Sequence, residues 1–144
     1  MPNLKATIDI DAPREHVFAA ADPLKMPEWT VHIKEVIVLE GDGRSAGTKD
    51  KTVITVTPRK NTLLSEWTEY KPGEAWARTF HGYLSGTERI ALTEADGGTR
   101  LEWTYNYTPP FGVIGKIGAL LVMSRVVLNN MESSLDTLKR ELEI

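Results

Sequence analysis

The sequence predicts an α+β fold: one curved, seven-stranded antiparallel sheet, two short helices, and a long C-terminal helix laid over a cavity. Three observations predict it. Residues 4–10 alternate apolar and polar, residues 30–108 break into six further strand-like runs, and from Ile114 to the end apolar residues step by three and four. A period of two marks a half-buried strand, and steps of three and four mark one face of a helix.

Each element follows from its residues. Leu4, Ala6, Ile8 and Ile10 share one face of the first strand, with Lys5, Thr7, Asp9 and Asp11 on the other. Asp11-Ala12-Pro13 starts a short helix, because proline is tolerated at the first helical position. Val17, Phe18 and Ala21 give that helix its apolar side, and Asp22-Pro23 opens a second one, which Pro27 is expected to end. The strands predicted next are 30–39, 48–57, 62–70, 74–82, 86–95 and 99–108. Gly41-Asp42-Gly43, Pro58 to Asn61, Pro72-Gly73 and Asp96-Gly97-Gly98 punctuate them. Connections this short join antiparallel neighbours.

After Pro109-Pro110 the pattern becomes helical: Ile114, Ile117, Leu121, Ser124, Leu128, Met131, Leu135, Leu138 and Leu142 form one stripe. With no second long helix to pack on, the stripe must lie on the sheet. A sheet of seven strands twists and curls. A single helix across its concave side leaves room for a small molecule.

Composition excludes several functions. The length of 144 residues fits one domain. With no cysteine there is no disulfide, thiol nucleophile or Cys-based metal site. The net charge of -3 argues against a nucleic-acid partner and against anionic membrane surfaces. The N-terminus lacks the pattern of a signal peptide. The longest apolar stretch, Val113 to Met123, contains Lys116 and is shorter than the ~20 residues a membrane span needs. No stable membrane insertion and a cytoplasmic location are expected.

Several ordered pieces resemble the START/Bet v1-like (SRPBCC) superfamily, most closely its polyketide cyclase/dehydrase and lipid-transport branch. They are Ile8-Asp9-Ile10-Asp11-Ala12-Pro13 with Val17-Phe18; Ala21-Asp22-Pro23 with Pro27-Glu28-Trp29; Val36-Ile37-Val38-Leu39-Glu40-Gly41-Asp42-Gly43 leading to Gly47-Thr48; Asp96-Gly97-Gly98-Thr99-Arg100-Leu101-Glu102-Trp103; and the C-terminal helix. The resemblance covers essentially the whole chain. It implies a helix-grip fold, with residues 1–144 forming one ligand-binding domain around a deep, mostly apolar cavity. Carriers, binders, cyclases and hydrolases share that fold, so it does not fix activity.

The chemistry-bearing residues are few. Leu101, Trp103, Tyr105 and Tyr107 share one face of the last strand, and rings with polar tips suit a cavity that grips and orients an apolar ligand. They equally suit a filled core. On the preceding strand Glu88 has the parity of Ile90 and Leu92. Glu88 therefore either points into the cavity, as acid, base or ligand anchor, or sits at the sheet edge or against an arginine such as Arg78. His16, His32 and His81 have no metal-ligand spacing. Of the three only His81 is a candidate for the site, and the parity of its strand leaves its face undecided. No Gly-x-Ser-x-Gly elbow or phosphate loop occurs, and no motif calls for a metal or another cofactor. Gly112, Gly115 and Gly118, among Val113, Ile114, Leu120 and Val122, loosen the apolar start of the long helix. That segment is read as a cavity gate, a homodimer surface or a closely packed helix end.

The sequence thus predicts a binder of a small hydrophobic molecule: a lipid, an isoprenoid or an aromatic polyketide. Its expected contacts are Trp29, Glu88, Ile90, Trp103, Tyr105, Tyr107, Ile117, Leu121 and Ser124. The alternatives are a cyclase or dehydratase, with Glu88 and His81 as catalytic candidates, and a protein-interaction module.

Overall fold

The computed structural model describes residues 2–55, 59–109 and 117–144. The first strand, β1 (Asn3–Ile10), leads into α1 (Arg14–Ala21), a 3-10 turn at Pro23–Lys25 and α2 (Met26–Trp29). Six strands follow: β2 (Ile33–Glu40), β3 (Lys49–Ile54), β4 (Asn61–Lys71), β5 (Ala75–Gly82), β6 (Ser85–Ala95) and β7 (Gly98–Thr108). The helix α3 (Ile117–Leu142) closes the chain. These are the α+β elements of a helix-grip fold.

The strands form one antiparallel sheet in the order β1-β7-β6-β5-β4-β3-β2. The short helices carry the chain from β1 at one edge to β2 at the other. The chain then returns strand by strand until β7 lies beside β1. Pro27, expected at the end of the second short helix, lies instead in the first turn of α2. There a missing N–H removes no helical hydrogen bond.

The concave face is apolar and aromatic for most of its width. Ile10, Ile54, Leu63, Trp67, Trp76, Phe80, Ile90, Leu92, Leu101, Trp103, Tyr105 and Tyr107 are all buried. On β4 the inward residues are Leu63, Ser65 and Trp67, and a bulge between Trp67 and Glu69 then shifts the register. The bulge brings Tyr70 to the side of Trp67, with ring centroids 5.5 Å apart. On β5 the inward residues are Trp76, Arg78 and Phe80. Gly86 faces Tyr107 across β6 and β7, and a Cβ there would collide with the Asn106 carbonyl oxygen. No larger residue fits at this strand crossing without backbone movement.

The long helix grips the core mainly from Val127 onward. Val127, Met131, Ser134, Leu135 and Leu138 are buried, and α3 packs on β1, α1 and α2. Polar contacts fix the same stretch. Ser134 Oγ accepts from Val31 N at 2.9 Å, Lys139 Nζ donates to the Asp9 carbonyl at 2.7 Å, and Glu143 accepts from Asp11 N at 2.8 Å. The first turns behave differently. Ile117 and Leu135 are 18 residues apart, about five turns, and so share one angular position. Leu135 is 1% exposed and Ile117 78%. The apolar stripe is therefore exposed over the first turns of the described helix, and it meets the core from Met123 onward. Leu121 is 67% exposed, and Val122 and Val126 are exposed with it. The expectations for Gly112, Val113, Ile114 and Gly115, and the end of the strand predicted to 57, lie outside the described residues.

Candidate functional site

Three strands deliver a charged cluster to the middle of the concave face. Strand parity turns Asp50 and Thr52 of β3, Arg78 of β5 and Glu88 of β6 inward, and all four are buried. Arg78 and Glu88 are register partners, which sets their side chains side by side. Arg78 Nε donates to Glu88 Oε1 at 2.9 Å, and Nη1 to Asp50 Oδ2 at 3.0 Å and to Thr52 Oγ1 at 3.2 Å. Its Nη2 meets the Met26 sulfur at 3.7 Å. Two tryptophans complete the shell. Trp67 Nε1 donates to Asp50 Oδ2 at 2.7 Å, and Trp103 Nε1 to Glu88 Oε2 at 2.8 Å. Thr52 Oγ1 donates to Asp50 Oδ1 at 2.7 Å.

Burial opposes a charge on Arg78, but Glu88 and then Asp50 outweigh it, and the net shift is upward. The guanidinium is charged, and the cluster of two carboxylates and one cation carries one net negative charge. Its groups are bonded mainly to one another, as buried charges must be.

Beside this cluster lies an interior cavity of about 10 Å³, bounded in part by His32, Ser65, Arg78, Phe80, Glu88 and Tyr105. That is room for roughly one water-sized atom. Two of its lining groups, His32 Nδ1 and Ser65 Oγ, are buried without a hydrogen-bond partner among the described residues, and so is Trp29 Nε1 nearby. Unpaired buried polar atoms are uncommon in folded proteins. The imidazole lies nearly parallel to the Trp103 ring, with centroids 6.4 Å apart. Desolvation, then the positive charges of Arg78 and Lys34, push His32 down to about 4, so the ring is neutral at pH 7.

From the cavity a row of rings leads toward the first turns of the described α3. Phe80 and Tyr105 stack at 5.1 Å, and Tyr105 and Tyr107 follow at 5.8 Å. Tyr107 Oη and Ser124 Oγ meet at 2.9 Å, joining β7 to the helix just beyond its exposed first turns. Burial raises the Tyr105 phenol well above its ordinary range, with the Glu88 charge adding to it. Tyr107 is raised by burial and partly relieved by Ser124. Both phenols are neutral.

The expected residues sort into three groups. Glu88, Ile90, Trp103, Tyr105 and Tyr107 share the concave face, and Trp29 meets Trp103 edge-on at 5.5 Å. Ser124 reaches them through Tyr107. Glu88 points inward and pairs with Arg78. Ile117 and Leu121 are exposed on the first turns of the helix, before it meets the core at Met123. His81 is a correction: it lies on the outer, convex face and is exposed, because Trp76, Arg78 and Phe80 take the inward parity of β5. The histidine of the interior is His32. Sequence reasoning missed His32, Asp50 and Ser65. The pattern Trp76-x-Arg78-x-Phe80 was the available signal for Arg78, since it sets a cation between two large rings on one strand face. Among the described residues no group of three histidines or carboxylates is placed to hold a metal ion. No described helix is long and apolar enough to cross a membrane.

Comparison with known proteins gives one family. A model described as polyketide cyclase/dehydrase and lipid transport matches residues 1–143. No curated protein sequence matches. Among solved structures, TTHA0849 from Thermus thermophilus has a TM-score of 0.81 at 21% identity, covering 98% of this chain and 97% of its own. The Zhui aromatase/cyclase from Streptomyces sp. R1128 has 0.75 at 18% identity, covering 99% and 93%. Ara h 8.0201 has 0.58 at 18%, covering 90% and 99%. Likeness at such identities establishes the shared fold.

Proposed function

The chain belongs to the polyketide cyclase/dehydrase and lipid-transport family, of the START/Bet v1-like superfamily, and from that premise we propose that it binds a small hydrophobic molecule between the concave sheet face and α3. One observation carries the reading. From Met123 onward α3 packs on the core, whereas its first turns carry the exposed apolar residues Ile117, Leu121 and Val122, with the Tyr107–Ser124 contact just beyond them. Beneath them lie the buried Tyr105 and Tyr107 rings, and if those turns move, a ligand can replace their apolar contact at roughly 25 cal/mol per Å².

The interior cavity of about 10 Å³ is far below the roughly 300 Å³ of a small-molecule pocket. Binding therefore requires the first turns of α3 to move away from the sheet. Tyr105, Tyr107, Trp103 and Ser124 would line the ligand, with Ile90, Trp29 and Glu88 behind them. Ile117 and Leu121 would cover the portion nearest the exit. A lipid, an isoprenoid or an aromatic polyketide meets these demands.

The geometry favours binding over cyclase chemistry. Glu88 is held by Arg78 and Trp103, and a histidine with a pKa of about 4 is a weak base. Native mass spectrometry of the purified protein tests the proposal. A non-covalent adduct lost in organic solvent, or one-to-one uptake of naphthalene, is expected. Protein that neither carries an adduct nor binds naphthalene saturably refutes it.

A further inference from the structure

We propose that the cavity between His32 and Ser65 is a subsite for one uncharged oxygen, so that the ligand is a hydrophobic alcohol, phenol or ketone and not a carboxylic acid. The inference rests on the binding function proposed above and names the ligand class of that site.

Size comes first. The cavity takes about one water-sized atom, so it admits a single oxygen and not the two of a carboxylate. Hydrogen bonding comes second. His32 Nδ1 and Ser65 Oγ are buried beside the cavity without partners among the described residues. A serine hydroxyl both donates and accepts, and Nδ1 does one or the other according to tautomer. Together they match a hydroxyl, which donates to one and accepts from the other, or a carbonyl oxygen, which accepts from both.

Charge comes third. Arg78 is the cation next to the cavity, but its nitrogens are engaged by Glu88, Asp50, Thr52 and Met26. Four of its five N–H groups have partners, which leaves no two-pronged site for an acid, and the cluster already carries one net negative charge. A carboxylate brought here would lose its water and meet that charge. An uncharged oxygen meets neither obstacle. The rings of Phe80, Tyr105 and Tyr107 continue from this point toward Ser124, so a flat apolar body attached to the oxygen would lie along them.

The test is fluorescence titration of the whole protein at pH 7 with four probes: naphthalene, 2-naphthol, 2-naphthaldehyde and 2-naphthoate. The naphthol or the aldehyde should bind about three- to tenfold tighter than naphthalene, the range of one neutral hydrogen bond, and the naphthoate weaker than naphthalene. Whichever of the two gains shows whether the oxygen donates. Ser65→Ala should remove most of that gain and leave naphthalene within about twofold. Its urea midpoint should not fall, because the lost hydroxyl has no protein partner among the described residues. The inference is overturned if the naphthoate binds best, if neither oxygen probe exceeds naphthalene, or if S65A weakens all probes alike. Saturable naphthalene binding with no oxygen preference sinks this inference alone. No saturable binding by any probe sinks the binding function with it.

Discussion

Arg78→Met is the sharpest test of the buried cluster. The substitution keeps the length and apolar volume of the side chain and removes the cation. Asp50 would retain the Trp67 Nε1 and Thr52 hydroxyl donors, and Glu88 would retain Trp103 Nε1. Both carboxylates would then lie unpaired in a place that water does not reach. Removing one partner of a buried ion pair costs about 3–5 kcal/mol, and here one substitution strips two anions, so the upper part of that range is expected. With a urea slope of roughly 2 kcal/mol per M, a loss of about 4 kcal/mol moves the unfolding midpoint down by about 2 M. Tryptophan fluorescence during urea unfolding at pH 7 reads that shift directly. Asp50→Asn should cost less than R78M, because it leaves the neutral Arg78–Glu88 pair. The triple variant R78M with Asp50→Asn and Glu88→Gln should recover most of the loss, because no buried charge remains. If R78M costs under about 1 kcal/mol, or the triple variant is no more stable than R78M, the cluster is not the closed ionic unit described above.

The other predictions concern His32 and the helix. His32 titrates near 4 in the folded chain against 6.5 unfolded. The unfolded state therefore takes up the proton first, and stability that is complete above 6.5 is lost as the pH falls toward 4. At about 1.4 kcal/mol per pH unit the loss reaches on the order of 3 kcal/mol. Urea midpoints at pH 7 and pH 5 should differ less in His32→Gln than in the native protein, and equal differences would contradict the assignment. On the helix, Leu135→Ala should cost about 2–5 kcal/mol, while Leu121→Ala should stay within about 0.5 kcal/mol. Thermal unfolding of the two variants compares them, and similar losses would mean that the helix start is packed after all.

Much of this architecture is legible from local pattern. Strand parity is a property of each strand alone, so it placed Glu88, Ile90, Trp103, Tyr105 and Tyr107 on one face before any pairing was known. It also fails locally. The bulge after Trp67 moves Tyr70 to the face of Trp67, and no repeat in residues 62–70 announces it. Helical periodicity has a different blind spot. It assigns Ile117 and Leu135 the same direction, but cannot say how far along the helix the sheet still lies beneath.

The cluster was hidden for a further reason, and the reason bears on what the site does. Asp50, Arg78 and Glu88 come from three strands, 28 and 10 residues from the arginine at their centre, and only the register of the sheet brings them together. Asp50 and Arg78 alone read as ordinary surface charges, and only Glu88 has a parity that hints otherwise. Once assembled they satisfy one another and leave His32 and Ser65, two inconspicuous residues in the sequence, as groups with hydrogen-bonding capacity unspent. In such an interior the charges are scaffold and the neutral groups are free to recognise. The oxygen-binding test therefore falls on Ser65, while the stability test falls on Arg78. The two substitutions should separate cleanly: S65A should change ligand preference without lowering the unfolding midpoint, and R78M should lower the midpoint at any ligand concentration.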